Sequence, residues 1–228
     1  MITRPFIYGL VAILVISNGY LSYAQEMISY WELPQYKEKL ENGKILTESK
    51  LVDLPGDKKR LDVVAFAYLD YNKDTLRKIK DEYKNMNKLS KNINESRILY
   101  KKGDYSIIYL DVCFLLCTTH YNVVVGLSSH LDKKVDKISW QFLNHAEITP
   151  YLGKEIASVP EKLDFPGMKG ETIIQEIMPS QSVVAIQGSL VTQHSGFIRF
   201  FQKVFLKGAL RNTAHDMREN LKNLDSFK

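Results

Sequence analysis

Asp111 is the acid in this sequence whose surroundings raise a chemical question. It interrupts the run IIYLDVCFLL, which is otherwise strongly apolar. A carboxylate turned inward in such a run must find a partner or lose its charge. An inward Asp111 would offer a polar contact to the headgroup of a bound molecule; a solvent-facing or salt-bridged one would be ordinary. If the run is a strand, Tyr109, Cys113 and Leu115 share the face of Asp111, and Phe114 and Leu116 share the other. The sequence leaves open which face is inside. His145 and Glu147 form a second polar pair, beside an irregular stretch, and read either as a contact at a cavity mouth or as an exposed pair. The remaining histidines, His120, His130, His194 and His215, form no H-E-x-x-H metal motif with it. No G-x-S-x-G nucleophile elbow and no G-x-x-x-x-G-K phosphate loop occur. The commonest enzyme classes are thereby weakened, and no metal or cofactor is expected.

The two cysteines stand four apart, at Cys113 and Cys117. On one continuous strand their Cα atoms would be about 13 Å apart, whereas a disulfide needs less than about 7 Å. The expectation is two free, buried thiols, or a bulged strand if they are paired.

The elements that would position these residues are mostly short strands. Residues 26–41 read as a short amphipathic helix broken or capped by Pro34, and Asn42-Gly43 as a turn. Lys44 to Asp53 and Leu61 to Tyr71 read as strands around a Pro55-Gly56-Asp57 turn. In the second of them Val63, Ala65, Ala67 and Leu69 face one way and Asp62, Val64, Phe66 and Tyr68 the other. Asp74 is the expected N-cap of a short helix over 74–84, with a second helical turn after it. Strands follow over Ser96–Lys101, Tyr105–Thr118, Tyr121–His130 and Val135–Leu143. The segment 144–170 carries three prolines and reads as irregular, long enough to be functional or to hide a short element. A last hairpin over 171–193 turns at Pro179-Ser180-Gln181.

The longest helical pattern is FIRFFQKVFLKGALRNTAHDMRENLKNL, from Phe197 to Leu224. Leu206, Leu210, Ala214, Met217, Leu221 and Leu224 make one apolar stripe, suited to packing on a sheet. Phe197, Phe201, Val204, Phe205 and Gly208 make another on nearly the opposite side, with Arg199, Lys203 and Lys207 between. The mismatch predicts a break near Gly208. The upstream half then either packs under the 144–170 loop or contacts a membrane surface through Phe197, Arg199, Lys203 and Lys207.

The chain has 228 residues, enough for one domain with a sizeable core. Net charge is +5, but the lysines are spread along the chain, so no nucleic-acid partner is expected. Thirteen Tyr and ten Phe suit strands and pocket walls. Residues 1–24 read as a signal peptide: Arg4, an apolar Phe6–Ile16, and Ser22 and Ala24 before a cut at Gln25. The expected location is the bacterial periplasm, with an uncleaved anchor as the alternative. A helical segment, 25–43, and one domain, 44–228, follow.

Two strands, two small helices, several antiparallel strands and a long C-terminal helix form the helix-grip order. The run AYLDYNKDTLRKIKDEYKNMNKLSKNINESRIL resembles the segment of the START-like (SRPBCC, polyketide cyclase and lipid-transfer) superfamily in which a strand feeds two short helices and the next strand. The strand with Trp140, the 171–193 hairpin and the terminal helix also stand where that superfamily has them. The resemblance covers about 44–224. It implies an α+β helix-grip fold, a curved antiparallel sheet wrapped around a long C-terminal helix, and an internal cavity for a hydrophobic or amphipathic small molecule such as a lipid. The expected wall is Tyr109, Asp111, Phe114, Tyr121, Trp140, Phe142, Ile174, Val184 and Ile186 from the sheet, with Phe201, Val204 and Leu210 from the helix. The protein is read as a monomeric carrier. Fold likeness alone does not choose between this and two alternatives: a cyclase- or hydrolase-like enzyme using Asp111, Tyr109 or His145, and a protein-interaction module using the 144–170 loop.

Overall fold

In the computed structural model, residues 34–81, 93–114, 119–133 and 135–192 are described. The chain divides into two compact units, Met1–Lys44 and Ile45–Lys228. The first contributes helix α1 (Pro34–Glu41). Proline suits its first position because that backbone nitrogen has no helical partner to lose. Gly43, at φ 74°, turns the chain out of the helix. The expected signal peptide and residues 26–33 of the expected helix lie outside the described residues.

The second unit is an α+β fold built on one eight-stranded sheet, in the order β1-β2-β8-β7-β6-β5-β4-β3. Every pairing is antiparallel. The strands are β1 (Leu46–Asp53), β2 (Lys59–Leu69), β3 (Ile93–Lys102), β4 (Tyr105–Phe114), β5 (Thr119–His130), β6 (Val135–Phe142), β7 (Lys169–Met178) and β8 (Gln181–Thr192). Strands β1 and β3 are the edges, and the final strand β8 closes onto β2. Helix α2 (Lys73–Asp81) follows β2, and helix α3 (His145–Leu152) follows β6 and leads into a 3-10 turn over Gly153–Ser158. The expected second helical turn and the long C-terminal pattern from Phe197 to Leu224 lie outside the described residues.

Period-two alternation gives the sheet two distinct faces. The inner face carries the larger cluster, with Leu61, Val63, Ala65, Ala67 and Leu69 from β2, Val123, Val125 and Leu127 from β5, and Val184 and Ile186 from β8. Leu76 of α2 joins it. On the outer face, Ile107, Tyr109 and Val124 pack with Ile148 and Leu152 of α3 and with Val159. Strand β2 is buried on both sides: Val64 and Phe66, facing outward, are as enclosed as Val63 and Ala65.

Three expectations are corrected locally. The N-cap of α2 is Asn72, whose Oδ1 accepts from the Thr75 backbone N–H at 2.8 Å; Asp74 instead binds Arg77 at 2.9 Å. Strand β4 stops at Phe114, which pairs with Thr119 at the start of β5, so the strand ends short of the expected Thr118. Cys113 is disulfide-bonded, and Cys117 is the other cysteine of the sequence. The 13 Å separation presumed one straight strand through both cysteines, which the early hairpin removes.

The stretch after β6 is ordered by its own polar groups. Asn144 caps α3: its side chain accepts from Glu147 N at 3.1 Å, and Glu147 Oε2 accepts from Asn144 N at 2.7 Å. Such a reciprocal box satisfies two otherwise orphaned donors.

Candidate functional site

Strands β5 and β6 lay out the inner face as a gradient. Along β6 the inward residues are Asp136, Ile138, Trp140 and Phe142; along β5 they are Ser129, Leu127, Val125, Val123 and Tyr121. One end is ionic. Asp136 is fully buried and accepts from Arg77 Nε at 2.6 Å and Nη2 at 2.8 Å. Its Oδ1 also accepts from the Asp132 backbone N–H at 3.1 Å and lies 3.9 Å from Lys73 Nζ. Lys73 Nζ and Arg77 Nη2 both donate to the Asp132 carbonyl, at 2.5 and 2.9 Å. Helix α2 is thus fixed to the β5–β6 turn by charge-assisted hydrogen bonds. The bonded Asp136 carboxylate raises the Arg77 guanidinium above its ordinary value, so Arg77 stays charged.

The middle of the face is aliphatic and the far end aromatic. The Trp140 and Phe142 rings stand 5.9 Å apart, and those of Tyr121 and Phe165 5.1 Å. Phe165 reaches this position from the segment after the 3-10 turn, with φ of 55°. A non-glycine residue in that region is strained. Flanking bonds hold it: Asp164 N to the Asn122 carbonyl at 2.8 Å, Asn122 N to Asp164 Oδ2 at 3.0 Å, and Gly167 N to the Phe142 carbonyl at 2.8 Å.

Of the expected wall residues, Tyr121, Trp140, Phe142, Ile174, Val184 and Ile186 come together on this inner face. Tyr109 and Asp111 do not. On β4 the inward residues are Ile108, Leu110 and Val112, so the odd-numbered ones point outward. The Tyr109 hydroxyl donates to Asn122 Oδ1 at 2.7 Å, and the Arg97 guanidinium lies over its ring at 4.7 Å. Burial, followed by the nearby Glu95 and Asp111 charges, raises the Tyr109 hydroxyl above its ordinary value. Asp111 accepts from Asn94 Nδ2 at 2.8 Å and lies 2.9 Å from His120 Nδ1. His145 Nε2 meets the Pro160 carbonyl at 2.8 Å, and Glu147 belongs to the cap of α3. The polar residues the sequence offered for an enzyme are therefore spread over outer-face and capping roles. Phe114 ends β4, with its side chain outside the description; Phe197, Arg199, Phe201, Lys203, Val204, Lys207 and Leu210 also lie outside the described residues.

Sequence reasoning missed Phe165 and the inward hydroxyls of Ser106 and Ser129. The serines were legible as members of the Val123-Val125-Leu127 alternation and its β4 counterpart, had the inner face of those strands been known. Among the described residues, no group of three or more His, Cys, Asp or Glu could hold a metal ion.

No protein-family model and no curated protein matches the sequence. Solved structures do match the fold. A STAR-related lipid transfer protein from Xanthomonas axonopodis (fragment 25–204) superposes with TM-score 0.54 at 11% identity, over 76% of this chain and 98% of that one. An aromatase/cyclase from Streptomyces sp. R1128 gives 0.55 at 8% identity, over 72% and 94%. Human StAR-related lipid transfer protein 5 gives 0.52 at 8%, over 92% and 97%. At such identities the likeness speaks to architecture, and it agrees with the element order: the fold of this chain is START-like.

Proposed function

We propose that this protein binds a hydrophobic or amphipathic small molecule of the lipid kind against the inner face of its sheet, and carries it. The observation behind this reading is the composition of that face among the described residues: mostly aliphatic and aromatic side chains, with the Lys73–Arg77–Asp136 ionic cluster internally neutralised. Sites for apolar ligands combine such walls with a few polar groups that set orientation. Two of the similar structures are lipid transfer proteins. In this reading the C-terminal pattern supplies the long gripped helix, its residues Phe201, Val204 and Leu210 complete the wall, and a cavity lies between helix and sheet.

The finer parts of the proposal follow from the sequence. The protein acts as an exported, periplasmic monomer after removal of residues 1–24. Loading and release occur at a membrane surface met by Phe197, Arg199, Lys203 and Lys207, whose aromatic and cationic character suits an anionic bilayer. Native mass spectrometry of the purified chain tests the central reading. A co-purified or added apolar ligand retained one per chain supports it, and a protein that retains none contradicts it.

A further inference from the structure

Among the described residues, three buried side-chain polar atoms lack a hydrogen-bond partner: Arg97 Nε, Gln175 Oε1 and Ser129 Oγ. Buried polar atoms are nearly always paired, so each exception asks for an explanation. Arg97 and Gln175 lie on the outer face, opposite Tyr109 and Val183 in the register. Arg97 Nε also has the Glu95 carboxylate at 2.6 Å, in an ion pair whose geometry falls short of a hydrogen bond.

Ser129 is different. Its position in the unbroken β4–β5–β6 register puts it on the inner face, opposite Ile138. It is 8% exposed, and its backbone N–H already donates to the Asp104 carbonyl at 3.1 Å. The hydroxyl remains unmatched. Ser106, equally buried, pairs with Leu127 and is therefore its diagonal neighbour on the same face. Two hydroxyls thus stand at one end of the apolar face, next to the ionic cluster. That cluster has no charge to spare for a ligand: Lys73 and Arg77 face Asp136 and Asp74. The other end, at Tyr121, is eight residues along β5, roughly 27 Å away.

Building on the carrier reading, we propose that Ser129 Oγ is the polar anchor of the binding face, and that the ligand is an uncharged amphiphile. Its hydroxyl, carbonyl or amide end meets Ser129, with Ser106 beside it, and its apolar body extends toward Trp140, Phe142 and Tyr121. A charged headgroup is disfavoured at this end because, among the described residues, no uncompensated opposite charge stands there.

The test compares 1-hexadecanol with hexadecane as competitors for bound N-phenyl-1-naphthylamine, on the full chain. Wild type should bind hexadecanol roughly fivefold more tightly than hexadecane, the size of one net hydrogen bond. Ser129→Ala should bring the ratio close to one while hexadecane binding holds, and Ser129→Thr, which keeps the hydroxyl, should preserve the preference. A Ser129→Ala protein that keeps the wild-type ratio overturns the anchor, leaving the hydroxyl to a structural water, while the carrier reading stands. A wild type that binds neither alkyl probe overturns the carrier reading and the anchor with it.

Discussion

Trp140 lies across Gly170. A Cβ built on that glycine would stand 2.4 Å from Trp140 Cζ2, 2.8 Å from Cε2 and 2.0 Å from the Gln187 carbonyl oxygen. The two residues are register partners on β6 and β7, so the absent side chain of one makes room for the indole of the other. Gly170→Ala should therefore displace the indole and strain the β7–β8 ladder, at about 1–3 kcal/mol. Urea denaturation followed by circular dichroism measures that loss; an unchanged midpoint would mean that the strands separate without cost.

Arg77 and Asp136 are 59 positions apart and join α2 to the sheet. Arg77→Met leaves Asp136 buried with only Lys73, at 3.9 Å, as a charged partner. The expected destabilisation is about 3–5 kcal/mol, because an uncompensated buried charge is costly. The double variant Arg77→Met/Asp136→Leu should recover much of it. Equilibrium unfolding of both variants checks this, and a double variant no better than the single one would contradict the account.

Alkaline pH should weaken the fold. Burial raises the hydroxyls of Tyr105 and Tyr109 above the ordinary 10.0, aided at Tyr105 by Tyr151. In the unfolded chain they lose their protons first, so above pH 10 the folded state binds more protons and stability falls as pH rises. The contribution is fully present below pH 10 and is lost as pH climbs through the raised folded values. Tyr105→Phe and Tyr109→Phe should each flatten the decline of the thermal midpoint between pH 9.5 and 11; identical slopes would refute the assignment.

Much of the fold was legible because alternation and turns report local geometry. The two faces of β2 separated as Val63, Ala65, Ala67 and Leu69 against Asp62, Val64, Phe66 and Tyr68. Gly103, at φ 57°, supplied the expected turn between β3 and β4. What was not legible depends on contacts distant in sequence. Strand β4 is apolar on both sides, so periodicity could not say that Ile108 faces in and Tyr109 out. Its apolar run continues past Phe114 in the sequence, which hid the end of the strand and the bonded state of Cys113. Asn144 and Glu147 already spelled a capping box, masked by Pro150 and Gly153 just beyond. Phe165 reaches the inner face beside Asp164, which is fastened by Asn122, 43 positions before Phe165.

The central claim is that the inner face holds an apolar guest, and native mass spectrometry of the full chain tests it most directly. Purified protein should carry extra mass that organic extraction removes. The extracted protein should then take up one uncharged amphiphile such as 1-hexadecanol per chain, and Trp140→Ala should weaken that uptake. A chain that carries no extra mass and takes up no amphiphile, while remaining folded by circular dichroism, would contradict the account.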